Sequence, residues 1–214
     1  MYEPQREVAP ARVEGETADG GIPWSVLATI GSVTLFVSVL YYVFIINGGL
    51  VWQELGVKDP GKIGRITALP SLFILVGAGV FWLLGRWQVS SRGQLFALLA
   101  TLGTGLSIIG LASDWRMMIL GMMVQQTGAG MGVVTLIAWA QRKLPYAHRG
   151  RGMGVWTACF FFGQFVSPLL VSVVRAQVGS MQAAFLVAGI VGIIGAVAVW
   201  LLVDRRPTLQ PATA

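Results

Sequence analysis

Gln125 and Gln164 stand in apolar stretches that hold no charged residue. Around Gln125, the residues Gly121, Gln125, Gly128, Gly132, Thr135 and Trp139 are spaced so that on a helix they share one face. A similar rhythm joins Thr157, Phe160, Gln164, Ser167 and Val171, and also Gly31, Thr34, Ser38, Tyr41 and Ile45. The chemistry open to such stripes is non-covalent: amides and hydroxyls exchange hydrogen bonds, and rings offer apolar faces. A serine nucleophile needs a base within reach. None of these stretches holds His, Lys, Asp or Glu, so no catalytic residue is expected and an intramembrane serine protease is disfavoured. Neither a phosphate-cradling G-x-x-x-x-G-K-[ST] loop nor any metal or cofactor site is found in the sequence.

The elements that position these stripes follow from composition. Apolar residues make up 55% of the 214 and charged residues 11%, against about 25% charged in an ordinary soluble domain. A bilayer core about 30 Å thick needs roughly 20 mostly apolar helical residues. Six segments qualify, at about 24–46, 66–84, 95–113, 117–140, 153–174 and 183–203, none with a charged side chain. The expected fold is all-α, six transmembrane helices in a lipid bilayer. Residues 1–23 carry Glu3, Glu7, Glu14, Glu16 and Asp19 against Arg6 and Arg12 and read as a disordered acidic tail, not a signal peptide. Residues 204–214 form a second tail. Cys159 has no cysteine to pair with. The basic residues flank the spans and build no basic face for nucleic acid, which is excluded as a partner.

Orientation follows from the positive-inside rule. With six spans, both tails share a side with the loops after spans two and four. That side carries ten cations, among them Arg86, Arg92, Arg142, Lys143, Arg149 and Arg151, and the other side five. Both termini are therefore expected in the cytoplasm, at a plasma or inner membrane. The charge stops at Arg151 because a Lys or Arg at a helix centre costs about 2.5–3.5 kcal/mol on the insertion scale. Gating or lipid contact is the alternative role of that basic loop. The lone His148 lies in it and is expected to be solvated.

A shift of 90 residues lays spans one, two and three over four, five and six. Three is odd, so the second triplet would enter from the opposite face, a 3+3 inverted repeat of the kind found in secondary transporters. The polar stripes belong in a bundle interior or a wet cavity, not in lipid. Interhelical glue is the competing reading, above all for Gly128 and Gly132. Pro168 is expected to kink span five. Trp52 and Trp87 are expected as interfacial anchors, and span six, with no strongly polar side chain, as the outermost helix.

"WQELGVKDPGKIGRITALPSLF" (52–73), "GLASDWRMMILGMMVQQTGAGMG" (110–132) and "RGRGMGVWTACFFFGQFVSPLL" (149–170) resemble the carboxy-terminal six-helix half of a major facilitator superfamily (MFS) transporter. The seventh-to-eighth, ninth-to-tenth and eleventh helix regions of that family correspond to the three stretches, and the resemblance covers about 24–203. The family's cytoplasmic signature after the eighth helix has a loose counterpart in "GRWQVSSRGQ", Gly85 to Gln94, with Arg86, Arg92 and Gly93 in place and the Asp missing. The resemblance implies two six-helix bundles that rock about a mid-membrane site, with spans one and four lining the cavity and spans two and five at the interface of the halves.

The same resemblance implies a partner, an amino-terminal six-helix half or a second copy, to which residues 1–23 would be the linker. The substrate cavity would comprise Thr34, Ser38, Tyr41, Gln125, Gly128, Gly132, Thr135, Thr157, Phe160, Gln164 and Ser167. Uncharged stripes suit a neutral or amphipathic small-molecule solute, with efflux as the favoured direction. With no carboxylate in a span, a proton-coupled cycle would draw its acid from the other half. A truncated or split half serving as a non-transporting scaffold is the alternative. Single-cysteine labelling in sealed vesicles should place 86–92 and 142–151 on the same face as both chain ends. Opposite faces would overturn the topology.

Overall fold

The computed structural model describes residues 24–203, which form seven α-helices. They are α1 (Trp24–Glu54), α2 (Pro60–Ser71), α3 (Phe73–Arg86), α4 (Ser91–Gly110), α5 (Trp115–Lys143), α6 (Arg149–Val178) and α7 (Met181–Leu202). A single 3-10 turn, Tyr146–His148, precedes α6. With α2 and α3 taken together, six helical segments are long and apolar enough to cross a membrane. The bounds differ from the sequence expectation at the long loops. α1 runs on to Glu54 and α2 starts at Pro60, so the loop expected at 47–65 shrinks to 55–59. The third span ends at Gly110, not 113.

Span two is broken where Pro70 sits inside it. Proline supplies no N–H, which removes one rung of the helical ladder. The chain tightens there through i→i−3 bonds, Leu72 N to Leu69 O at 3.1 Å and Leu75 N to Leu72 O at 2.9 Å. The Thr67 and Ser71 hydroxyls donate back to the carbonyls of Ile63 and Thr67, each at 2.8 Å. Pro168, by contrast, lies within the continuous helix α6.

α4 is the axis of the bundle, packed between α5 and α7. Its Leu95, Leu98, Leu99, Leu102, Leu106 and Ile109 are all fully buried, recurring at the three- and four-residue spacing of one broad stripe. α1 packs chiefly on α6, and α3 on α5. The spans formed by α2–α3 and by α6 are the least buried of the six. α7, expected outermost, exposes one face with Ile190, Ile194, Val197 and Leu201. Its other face presses glycines onto α4: a Cβ on Gly103 would come within 2.8 Å of Gly189 O and Ile193 N. Small residues are what let two helix backbones meet so closely.

The closest backbone approach joins α3 to α5. A Cβ on Gly77 would strike the Thr127 carbonyl, and one on Gly130 the carbonyl of Ile74. Gly79, two residues on, has nothing within 4 Å of where a Cβ would stand. Gly77→Ala should therefore lower stability by about 1–3 kcal/mol, the usual range for overpacking, while Gly79→Ala leaves it unchanged or slightly raised. Thermal melts of the two variants in one detergent check this, and equal midpoints would remove glycine contact as the cause.

Candidate functional site

The three polar stripes meet different surroundings. On α5, Gly121, Gln125, Gly128, Gly132, Thr135 and Trp139 are all buried. Gly128 closes on Leu102, whose backbone N lies 2.8 Å from where a Cβ would stand, and Gly105 of α4 lies equally close to the Gln125 backbone. Gly132 faces the Tyr41 ring at 3.4 Å. The stripe is thus seated in packed helix contacts rather than along an open wall. Gln125 is fully buried, and neither its amide nitrogen nor its amide oxygen has a hydrogen-bond partner among the described residues. The buried hydroxyls of Thr34 and Thr135 also lack one.

Two serines stitch α1 to α6. Ser38 Oγ donates to the Phe160 carbonyl, and Ser167 Oγ to the Val39 carbonyl at 2.8 Å. Beside them lies an aromatic cluster. Phe160 stacks on Trp156 with ring centroids 5.3 Å apart, and its ring also meets Tyr41 at 5.7 Å and Tyr42 at 5.6 Å.

The α6 stripe divides along its length. Phe160, Ser167 and Val171 are buried against the bundle, whereas Thr157 and Gln164 are exposed. Three- and four-residue steps trace a stripe broad enough for its two edges to face different ways. Pro168 is half-buried beside Gln164. Phe161, Gln164, Phe165, Pro168 and Leu169 line an open hollow of about 500 Å³ on this outer side. Thus one α6 edge is committed to α1, and the other presents an amide and a hydroxyl among phenylalanines.

All three carboxylates among the described residues start helices at one end of the bundle. Asp59 accepts from Gly61 N and Lys62 N at 3.0 and 3.1 Å, opening α2. Asp114 accepts from Arg116 N and Met117 N at 2.8 and 2.9 Å, opening α5. Glu54, at the end of α1, reaches across to α7 and accepts from Met181 N at 2.8 Å and Gln182 N at 3.0 Å. Arg175 of α6 flanks it at 3.6 Å. Negative charge at a helix start meets unpaired N–H groups and the positive end of the macrodipole. The sequence reading missed Glu54 because it placed 47–65 in a loop. It also took Trp52 for an interfacial anchor. With α1 continued past Asn47, Trp52 is buried, whereas Trp87 is exposed.

Cations gather at the opposite end. Arg142 Nη1 donates to Ser91 Oγ at 3.0 Å, tying α5 to the start of α4. The Arg92 guanidinium lies 4.2 Å from the centre of the Trp200 ring on α7. Arg86 sits over Trp82, Lys143 over Trp139 and Arg149 over Tyr146, at 5.4–5.9 Å. Arg151, in the first turn of α6, is exposed. Among the described residues no three His, Cys, Asp or Glu side chains come together to hold a metal ion. The expectations placed on 1–23 and 204–214 lie outside the described residues.

An unpartnered amide in a dry interior costs about 1–3 kcal/mol. Gln125→Leu keeps a similar size and removes both atoms, so it should raise the stability of the chain by about that amount. Ser167→Ala, which deletes a made bond, should lower it by about 1 kcal/mol. Denaturation midpoints of the two variants test this, and a fall in both would show that the Gln125 amide is bonded.

The family model described as Major Facilitator Superfamily matches residues 27–214. No curated protein matches the chain.

Proposed function

Because the chain belongs to the major facilitator superfamily, a family of multi-pass membrane transporters, we propose that it works as the carboxy-terminal half of a secondary transporter. It moves a small neutral or amphipathic solute by alternating access, in the direction of efflux, opposite an amino-terminal six-helix half or a second copy. The observation that carries this reading is the outer edge of α6, where exposed Gln164 and Thr157 lie among phenylalanines on one of the two least buried spans. A hydrogen-bonding amide turned outward at mid-helix fits a facing protein wall or a wet cleft better than acyl chains.

The inverted repeat has independent support. The end of α1 and the end of α5, Glu54 and Lys143, lie 89 positions apart. The starts of α2 and α6, Pro60 and Arg149, are also 89 apart, and those of α4 and α7, Ser91 and Met181, are 90 apart. Ser90 caps α4 by accepting from Gly93 N, and Ser180, 90 positions on, caps α7 by accepting from Ala183 N. Exchanging the triplets turns the α1–α6 contact into the α5–α3 contact and leaves α4–α7 in place, and all three contacts are present. Such a relation gives the bundle two similar halves to pivot between its end states. The termini lie on the cytoplasmic side by the bias of the basic loops.

Each described carboxylate is engaged at a helix start, so a proton-coupled cycle takes its acid from the partner half. Within this half, exposed Gln164 supplies the amide that meets the solute, while Gln125 stays buried between α4 and α5. Efflux of an uncharged fluorescent dye should be measured in cells expressing the full chain with an amino-terminal half of the same family. Gln164→Leu should cut flux about tenfold, one hydrogen bond of about 1.4 kcal/mol being worth a factor of ten, with membrane insertion unchanged. Unaltered flux would remove this amide from the pathway. Dye retention in every pairing would favour a non-transporting scaffold.

A further inference from the structure

The hollow on the outer side of α6 is lined by Phe161, Gln164, Phe165, Pro168 and Leu169, which follow one another at helical spacing along a single edge. Two polar groups meet there, and the fold consumes neither. The Gln164 side-chain amide is exposed and takes part in no hydrogen bond among the described residues. The Gln164 backbone carbonyl loses its helical donor, because position 168 is proline and proline has no N–H. That carbonyl lies between two residues that both line the hollow. The Ser167 hydroxyl does not replace the lost donor, since its hydrogen goes to the Val39 carbonyl on α1. The opposite edge of the same stretch is tied to α1. Ser38 donates to the Phe160 carbonyl, Ser167 to that of Val39, and a Cβ on Gly163 would strike Ser38.

We propose that this hollow takes an uncharged aromatic solute that carries a hydroxyl or N–H group, such as a phenol or an aryl amide. The inference rests on the reading of the chain as one half of a transporter and narrows its solute class. The solute ring lies against Phe161 and Phe165, whose exposed rings stand one turn apart. Its O–H or N–H donates to the Gln164 carbonyl, and Gln164 Nε2 donates to its oxygen. Three features select this chemistry. An acyl chain would satisfy neither the carbonyl nor the amide, and a polar group left unmet in hydrocarbon is costly. No residue from 152 to 174 is charged, so an ion would be held there without a counter-charge. The volume of about 500 Å³ has room for more than one ring, since a cavity of roughly 150 Å³ holds benzene. The ties to α1 fix the α6 backbone before the solute arrives, which lowers the ordering cost of binding.

The full chain in phosphatidylcholine nanodiscs, photolabelled with a phenol bearing an aryl diazirine and mapped by peptide mass spectrometry, tests this without transport. The label should fall on residues 161–169. Two competitors are compared, each corrected for its partition into empty discs: 2-naphthol, and 2-methoxynaphthalene, which lacks the O–H. The naphthol should protect at about a tenth of the concentration that the ether needs, one hydrogen bond being worth about that factor. Pro168→Ala returns an N–H to the Gln164 carbonyl and should bring the two competitors to equal potency. Gln164→Leu should weaken both several-fold and keep their ratio, because Nε2 meets the oxygen that they share. Equal potency on the wild-type chain, or an unchanged ratio in Pro168→Ala, would overturn the proposal. Labelling that neither competitor displaces would also overturn it and assign the hollow to acyl chains. Labelling lost on reconstitution with an amino-terminal half would assign it to the contact between halves. Binding with the expected ratio but no efflux in any pairing would remove the transporter reading and leave the chemistry of the hollow standing. Efflux indifferent to the O–H would do the reverse.

Discussion

Inside the hydrocarbon of a bilayer, an N–H or C=O without a partner costs several kcal/mol, because no water is present to take the place of a lost bond. Most polar devices of this bundle respond to that cost. Backbone groups are consumed within helices. Where Pro70 breaks the ladder, the chain tightens through i→i−3 bonds, and the Thr67 and Ser71 hydroxyls spend their hydrogens on carbonyls of their own helix. Ser38 and Ser167 spend their hydrogens on carbonyls of the facing helix. With no net hydrophobic drive between helices in lipid, cohesion comes from such bonds and from backbone contact at glycine, as at Gly77, Gly130 and Gly103.

Against that background the few polar groups left without partners stand out. Gln125, Thr34 and Thr135 are buried on the two helices that the family likeness assigns to the pathway, and their side chains are unpaired among the described residues. A residue chosen for stability alone would be leucine or valine at each place. Their retention fits the general trade between stability and activity, in which polar groups needed for function weaken the resting structure. Gln164 and Thr157 follow a different course, being exposed on the outer edge of α6.

Charge is sorted from end to end by the same constraint. Among the described residues no ionised side chain lies deep in a span: cations stand at both rims and the three carboxylates at one. At one rim Asp59, Asp114 and Glu54 meet helix starts, which carry partial positive charge. At the other, cations lie over aromatic rings and on Ser91. Cation–aromatic contact stabilises by about 0.5–1 kcal/mol when exposed, enough to orient a guanidinium without neutralising it.

Much of the architecture was legible from residue order because it depends on local properties. Six charge-free runs of about twenty residues and the basic loops need only the chain itself to be read. The family likeness was legible for the same reason, since it rests on where glycine, proline and charge punctuate those runs. What residue order left open depended on helix rotation and on neighbours distant in sequence. Spacing placed Thr157, Phe160, Gln164 and Ser167 on one stripe, but only the seating of α6 against α1 decided that Phe160 and Ser167 turn inward while Thr157 and Gln164 stay outside. The glycines of α7 gave no sign by themselves of which helix they meet, and only the assembled bundle sets them on α4. Glu54 looked like a loop residue and Trp52 like an interfacial anchor, whereas in the fold Glu54 caps a helix 127 positions away and Trp52 is buried. Periodicity sets which residues share a helix face. Which way that face points is set by the packing of whole helices, a property of the assembled bundle alone.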